Sequence, residues 1–493
     1  MELKVKLLKW SAGLPVAMLN QKTAIKMGAH VQDRISIRTL SKNPKEISTI
    51  IDTVSGFVKK DEIAVSSELK KRLSLRIGQK IDVGLAQTSK SLTFIKEKLN
   101  GKKLSEKEIY IIIKDIVNNS LSEAEIALFI SGMYKQGMNI KEIIYLIKSI
   151  IDSGNKLSFG KKIVGDKHSI GGIAGNRTTP IVVSICASAG IIMPKSSSRA
   201  ITTPAGTADV IETIASVDFS IKQLKKIVKK TNACLIWGGA LGIVPADSKI
   251  IQVEKMLGID PESQLLASIM SKKLAMGSKY IVIDIPYGKT AKVNKQKALK
   301  LKRKFEQLGK YFKKKLKVLL TPANEPMGSG VGPALELIDV IEVLDPNKQG
   351  PKDLEQKSLL LAGELLELTK KAKKGQGIKM AQEILSSGKA FEKFKQIIKA
   401  QGGEIKELKP AKFRKDILAK KTLKIIEIDN KKINSLARIT GCPADKFAGL
   451  YIHHNTGEKL KKGDKILTLY SESKSRLKEA INFYKTKKPI KTK

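Results

Sequence analysis

From about residue 162 onward, apolar runs of strand length alternate with longer helical patterns, and this alternation constrains the fold more than any other feature. A parallel strand pair needs a crossover long enough to hold a helix, so the pattern predicts βα units around a largely parallel sheet. Ala233–Ile236, Tyr280–Ile285 and Val318–Leu320 read as strands, and Pro261–Leu274 reads as a helix with proline in its first turn. Ile181–Ala189 is apolar throughout and reads as a strand; taken from Pro180 it also reads as a helix.

The flanking regions are written differently. Residues 1–87 predict a β-rich domain, with alternating runs at Glu2–Leu8, Arg34–Thr39 and Glu62–Ser66. Residues 88–160 carry three helix starts of the capping-box type: Ser105 with Glu108, Ser122 with Glu125, and Asn139 with Glu142. Three short amphipathic helices there predict a small helical domain, discontinuous and completed by about 245–276. Residues 161–407 form the α/β domain. Residues 408–493 predict an α+β domain, with strands at Thr422–Asp429 and Lys465–Leu469 and a basic tail fraying from Lys485. The fold class is therefore α/β: a mainly parallel sheet domain with a small helical domain, a β-rich amino-terminal domain and an α+β carboxyl-terminal domain.

Composition limits function less than pattern does. The 493 residues hold 92 Lys+Arg against 47 Asp+Glu, a formal charge of +45. Such a charge suits a polyanion or nucleic-acid binder. The excess is nearly all Lys, runs through every region, and is accompanied by only 5% aromatic residues. A shared compositional bias explains that distribution better than one shaped nucleic-acid face does, since single-strand binders interleave stacking rings with their cations. Three widely spaced cysteines (Cys186, Cys234, Cys442) exclude a disulfide framework and a Cys-cluster zinc site. His453-His454 has no Cys, Asp or Glu ligands at metal spacing and reads as a surface turn, so no metal is expected. The opening Met-Glu-Leu-Lys-Val-Lys lacks the apolar run of a signal peptide, and no segment approaches a membrane span, so a cytoplasmic location is expected.

Chemistry concentrates between residues 165 and 209. Gly165-Asp166-Lys167-His168-Ser169-Ile170-Gly171-Gly172 continues into Ile173-Ala174-Gly175-Asn176-Arg177-Thr178-Thr179. Glycines let backbone N–H groups approach an anion, Lys167 adds charge, and the hydroxyls add donors. A helix from Pro180 would turn its N-terminus to the same spot. The second loop, Pro194–Asp209, carries six hydroxyl side chains with Lys195 and Arg199. Two such loops after strands meet at the carboxyl edge of an α/β sheet, where ligands bind. An oxyanion-bearing ligand is the expectation.

These residues resemble the thymidine/pyrimidine nucleoside phosphorylase family. Lys167-His168-Ser169-x-Gly171-Gly172 carries the likeness, and so do Gly206-Thr207-x-Asp209, Ile259-Asp260-Pro261, Leu266–Lys273 and Asn324-Glu325-Pro326-Met327-Gly328. Ser198–Asp209 and the long amino-terminal extension are similar to the archaeal AMP phosphorylase branch. Ala174 and Arg177 stand where members of the family vary. The resemblance implies phosphorolysis of AMP, with CMP and UMP as further substrates, to free base and ribose 1,5-bisphosphate. It implies that Lys167, Ser169, Ser197 and Thr207 cradle phosphate, and that Gly172, Ser198, Arg199, Ala200, Ile201, Thr202, Thr203, Thr207, Ser268 and Lys292 bind the nucleotide. His168 and Lys272 are further candidates. It places a proton donor at Asp260, which by sequence alone reads as the cap of the Pro261 helix. No cofactor is expected beyond phosphate as co-substrate, and a homodimer or larger homo-oligomer is implied. The alternatives are a nucleoside phosphorylase acting on thymidine or pyrimidine nucleosides, and a non-catalytic polyanion binder resting on charge alone.

Overall fold

The computed structural model describes residues 1–8, 15–31, 33–86 and 89–493, and these divide into two compact units. The first contains Met1–Ser153 and Pro245–Ala267; the second contains Gly154–Val244 and Ser268–Lys493.

The first unit opens with a closed barrel of six strands: Glu2–Leu7, Val16–Asn20, Arg34–Thr39, Glu46–Val54, Glu62–Val65 and Lys80–Leu85. Glu2–Leu7 runs parallel to Glu62–Val65, and Val16–Asn20 runs parallel to Glu46–Val54; the other pairs are antiparallel. Alternation fills the barrel: Leu3, Val5, Leu19, Ile35, Ile37, Ile63 and Ile81 all point into one buried core.

Helices Glu106–Val117, Glu123–Gln136 and Ile140–Asp152 follow, each started by a reciprocal capping box at Ser105, Ser122 or Asn139. A fourth helix, Lys90–Leu99, precedes them. Its cap, Ser89, is followed three residues later by Leu92 rather than an acidic residue, so it lacks the capping-box spelling. A buried ion pair between Lys98 and Glu142 (2.8 Å) ties it to the last helix. Helix Pro245–Leu257 joins this unit through Lys249, whose ammonium donates to the carbonyls of Ile116 (2.8 Å) and Val117 (2.9 Å).

In the second unit, strands Gly165–Ser169, Tyr280–Tyr287 and Lys315–Pro322 form a parallel sheet with Tyr280–Tyr287 in the middle. Met193–Ser197 and Ala233–Trp237 form a second parallel pair, joined to the first strand by the parallel bridge Val164–Ile192. Residues 181–189, readable as a strand, belong to helix Thr178–Ser188. Every residue from Thr178 to Ala187 is buried, so the helix has no polar face to give it a 3.6-residue signature. It packs among Leu337, Leu361, Leu365, Phe394 and their neighbours.

Phe413–Leu418, Gly449–Ile452 and Lys465–Ser471 make an antiparallel sheet with the short strand Gly330–Val331. Helix Asn430–Thr440 lies in the same part of the chain. The basic tail does not fray: Lys474–Lys487 is a helix, and Ile490–Thr492 pairs with Leu423–Ile428. Ile490 is 5% exposed, and burying it fixes a segment whose lysines suggested solvent. Cys186, Cys234 and Cys442 are all free and buried, and burial pushes each thiol pKa upward. No helix of the described residues is long and apolar enough to cross a membrane.

Candidate functional site

Three loops leave carboxyl ends of parallel strands in the second unit, after Ser169, Ser197 and Tyr287. Their glycines record how closely they meet. Gly171 and Gly172 hold φ of +85° and +91°. A Cβ at Gly172 would lie 2.8 Å from Lys292 Cβ, and one at Gly171 would lie 3.1 Å from Thr202 Oγ1. Only glycine fits such backbone angles and such an approach. The structure thus brings Gly172, Thr202 and Lys292 together.

Lys167 is 1% exposed, and its ammonium donates to the hydroxyls of Thr178 and, at 3.4 Å, Thr179. Both threonines begin helix Thr178–Ser188, so a buried cation sits at the positive end of a helix dipole. Burial, moderated by attraction to Asp284, drives the Lys167 pKa down to about 7. An anion at this point would relieve both strains. Asp284 is itself engaged, with Lys357 at 3.0 Å and the Thr321 hydroxyl at 2.7 Å.

Several polar groups of these loops are poised rather than saturated. Among the described residues, Ser197 Oγ and Asn176 Oδ1 are buried without a hydrogen-bond partner. Asn176 Nδ2 donates to Ser169 Oγ at 3.4 Å. Thr207 Oγ1 accepts from Arg177 at 2.9 Å, which leaves its own hydrogen to donate. Arg177 also donates to the Ala205 carbonyl (2.8 Å) and pairs with the fully buried Glu336 (2.6 Å), locking the second loop.

Beneath the loops, Asp166 bridges two buried ammoniums, Lys195 at 3.1 Å and Lys273 at 2.7 Å. Burial alone would raise the Asp166 pKa, but the two lysines hold it below the usual carboxylate range. Lys195 also donates to the Lys167 carbonyl at 2.6 Å, fixing the strand that presents Lys167. His168 is half-buried, and its pKa lies well below the ordinary value, first from desolvation and then from Lys273, Lys195, Lys272 and Lys167. It is a neutral imidazole at pH 7, unsuited to act as an imidazolium acid.

Ser268 is buried, and its hydroxyl accepts from Lys272 at 2.8 Å. The Arg199 guanidinium is spent internally: it grips Glu212 at 2.7 and 2.8 Å and stacks over Trp237 at 4.8 Å. That grip holds Glu212 down to about 2. Asp209 accepts from the backbone N–H groups of Ala200 and Gly206, both at 2.7 Å, shaping the loop that runs through Ser198, Ala200, Ile201, Thr202 and Thr203. Asp260 belongs to the first unit, exposed in the turn before helix Glu262–Ala275.

Sequence reasoning assigned no role in this site to Asp166, Lys273, Asn176 and Glu336, and read Lys195 as a loop cation rather than as a partner of Asp166. Arg177 and Glu336 stand 159 residues apart, and Lys273 and Asp166 stand 107 apart, so no local spelling links them. Among the described residues, no group of three or more His, Cys, Asp and Glu side chains could hold a metal ion.

Comparison with known proteins agrees with this layout. Residues 92–154 match the helical bundle domain of a glycosyl transferase family, and 161–391 match its a/b domain. Residues 424–491 match the pyrimidine nucleoside phosphorylase C-terminal domain. The chain is 40% identical to the AMP phosphorylase of Methanococcus vannielii, over 99% of this chain and 97% of that protein. Identity to the AMP phosphorylase of Methanococcoides burtonii is also 40%, with the same coverage. A putative thymidine phosphorylase of Legionella pneumophila (strain Paris) is 40% identical over 94% of this chain and 89% of its own. The fold is similar to that of anthranilate phosphoribosyltransferase from Thermus thermophilus, with TM-score 0.53 and 16% identity, covering 63% of this chain and 99% of that one.

Proposed function

The chain belongs to the glycosyl transferase family that holds the AMP and thymidine phosphorylases, and from that premise we propose that it is a pentosyltransferase cleaving AMP with inorganic phosphate. The products are adenine and ribose 1,5-bisphosphate, and CMP and UMP are further substrates. Phosphate is the co-substrate, and no other cofactor takes part.

The observation that carries this reading is the buried Lys167 at the start of helix Thr178–Ser188, its ammonium on the hydroxyls of Thr178 and Thr179, with the unpartnered Ser197 hydroxyl at the end of strand Met193–Ser197. Hydrated phosphate is a poor nucleophile, and a cradle that replaces its water and holds it against its target supplies both charge and orientation. A phosphate oxygen attacks C1′ as the C1′–N bond to the base breaks. The electron pair of that bond goes to the base, which takes up a proton. Asp260 is the donor in this scheme: its carboxyl gives up the proton that the departing base takes up. Lys292, against Gly172, stands on the nucleotide side.

The Legionella relative favours a second reading, a nucleoside phosphorylase acting on thymidine. One assay separates them: AMP, CMP, UMP and thymidine are each incubated with and without phosphate, and released base is resolved by chromatography. Phosphate-dependent adenine release from AMP, at kcat/KM well above that for thymidine, is expected. Equal or better use of thymidine or adenosine would replace the nucleotide reading.

A further inference from the structure

Helix Asn430–Thr440 carries a polar stripe at four-residue spacing, Asn430, Asn434 and Arg438, which places all three on one face. Its apolar residues Ile433, Leu436 and Ala437 are occupied in the core of the carboxyl-terminal region. The stripe turns to the site loops. Asn430 satisfies both ends of its amide there, accepting from the Ala174 N–H (3.2 Å) and donating to the Thr290 hydroxyl (3.1 Å). Asn434 Nδ2 donates to the Gly172 carbonyl at 3.2 Å. Arg438 donates to the carbonyls of Ile201 (2.7 Å) and Thr203 (3.2 Å).

The distribution of these bonds is one-sided. They end on the Gly172 loop, on the Ile201–Thr203 segment, and two residues before Lys292. These are the parts assigned to the nucleotide. Neither Lys167, assigned to phosphate, nor Thr207, assigned to both ligands, is held by this helix; each is fixed by other groups. We propose that Asn434 and Arg438 are positioning residues that hold the nucleotide-side loops in register, so that the carboxyl-terminal region sets affinity for the nucleotide and not for phosphate. The proposal rests on the reading of these loops as the nucleotide side.

The test measures binding of AMP and of inorganic phosphate by titration calorimetry, with KM and kcat alongside, in Asn434→Ala, Arg438→Ala and Arg438→Lys. Arg438 is exposed, so its variants should melt with the wild type, whereas the buried Asn434 is the variant at risk of misfolding. Losing one such bond should weaken AMP binding about five- to tenfold, the size of a net hydrogen bond. Phosphate binding should stay within about twofold by the same reasoning, since none of its groups loses a partner. Arg438→Lys, which keeps a cationic donor, should recover most of the loss. A merely structural role would instead lower melting temperature and active fraction while leaving both affinities alone. Unchanged AMP affinity in Arg438→Ala, or an equal loss for phosphate, overturns the proposal. A wild-type protein that binds AMP but releases no base with phosphate overturns the phosphorolysis reading; the affinities then still decide the role of the helix.

Discussion

The two sides of the site are built from different materials. On the side proposed for phosphate, buried charges hold one another: Asp166 between Lys195 and Lys273, and Glu336 against Arg177. On the side proposed for the nucleotide, backbone carbonyls of the loops are held by the Asn434 amide and by one exposed guanidinium. A buried ion pair has few alternative geometries, because separating it leaves an uncompensated charge. A carbonyl held by an exposed side chain can exchange its partner for water at small cost. The contrast suits the ligands: a small anion of fixed shape needs a rigid cradle, whereas a base and sugar need loops that adjust.

The sharpest way to test that division begins outside both sides. Asp260→Asn keeps size and capping ability but removes the transferable proton. Turnover should fall by about 10²–10⁴, the usual scale for a general acid, with KM for both substrates and melting temperature little changed. Near-normal turnover would make Asp260 a cap only. The neutral His168 among four lysines would be a poor replacement donor.

Asp166→Asn comes next. It strands Lys195 and Lys273 without their carboxylate and should lower unfolding free energy by about 3–5 kcal/mol, read from urea denaturation. A loss under about 1 kcal/mol would remove the claim that charge makes the phosphate side rigid.

Lys167→Met should weaken phosphate binding about 10- to 100-fold, the worth of a charge-assisted bond, while AMP binding hardly moves. The same lysine sets a pH dependence. Its lowered pKa means that it is charged below about 7 and neutral above, so phosphate KM should rise as pH climbs through that value. Lys167→Met should abolish this extra rise; a profile shared by both proteins would assign it to phosphate's own ionisation.

The smallest effect belongs to Ser197→Ala. Its hydroxyl has no partner among the described residues, so the substitution breaks no bond within the protein. Stability should be unchanged, with phosphate KM up by about fivefold, one net hydrogen bond. Lost stability without a change in KM would show that the hydroxyl serves the fold.

The sequence was most readable where cause and effect lie a few residues apart. Ser105, Ser122 and Asn139 each meet an acidic partner three positions on, and all three caps form as spelled. The two loops stood out for a similar reason, since hydroxyls and lysine cluster within each segment and paired glycines within the first. What holds the loops was not. Asn434 reaches Gly172 across 262 residues, and an asparagine four residues into an amphipathic helix looks like any solvated position. The fully buried helix Thr178–Ser188 failed in the opposite way, because uniform burial erases the periodicity that would reveal it. At the tail, one buried isoleucine outweighed the lysines around it.

The three buried cysteines have a practical consequence. Thiolate is the reactive species, and these thiols are both enclosed and harder to ionise, so a maleimide dye should find almost no background in the folded protein. A single Thr202→Cys change would place one reactive handle on an exposed loop position facing Gly171. Fluorescence from that handle would then follow nucleotide arrival in real time, without removing any native sulfur.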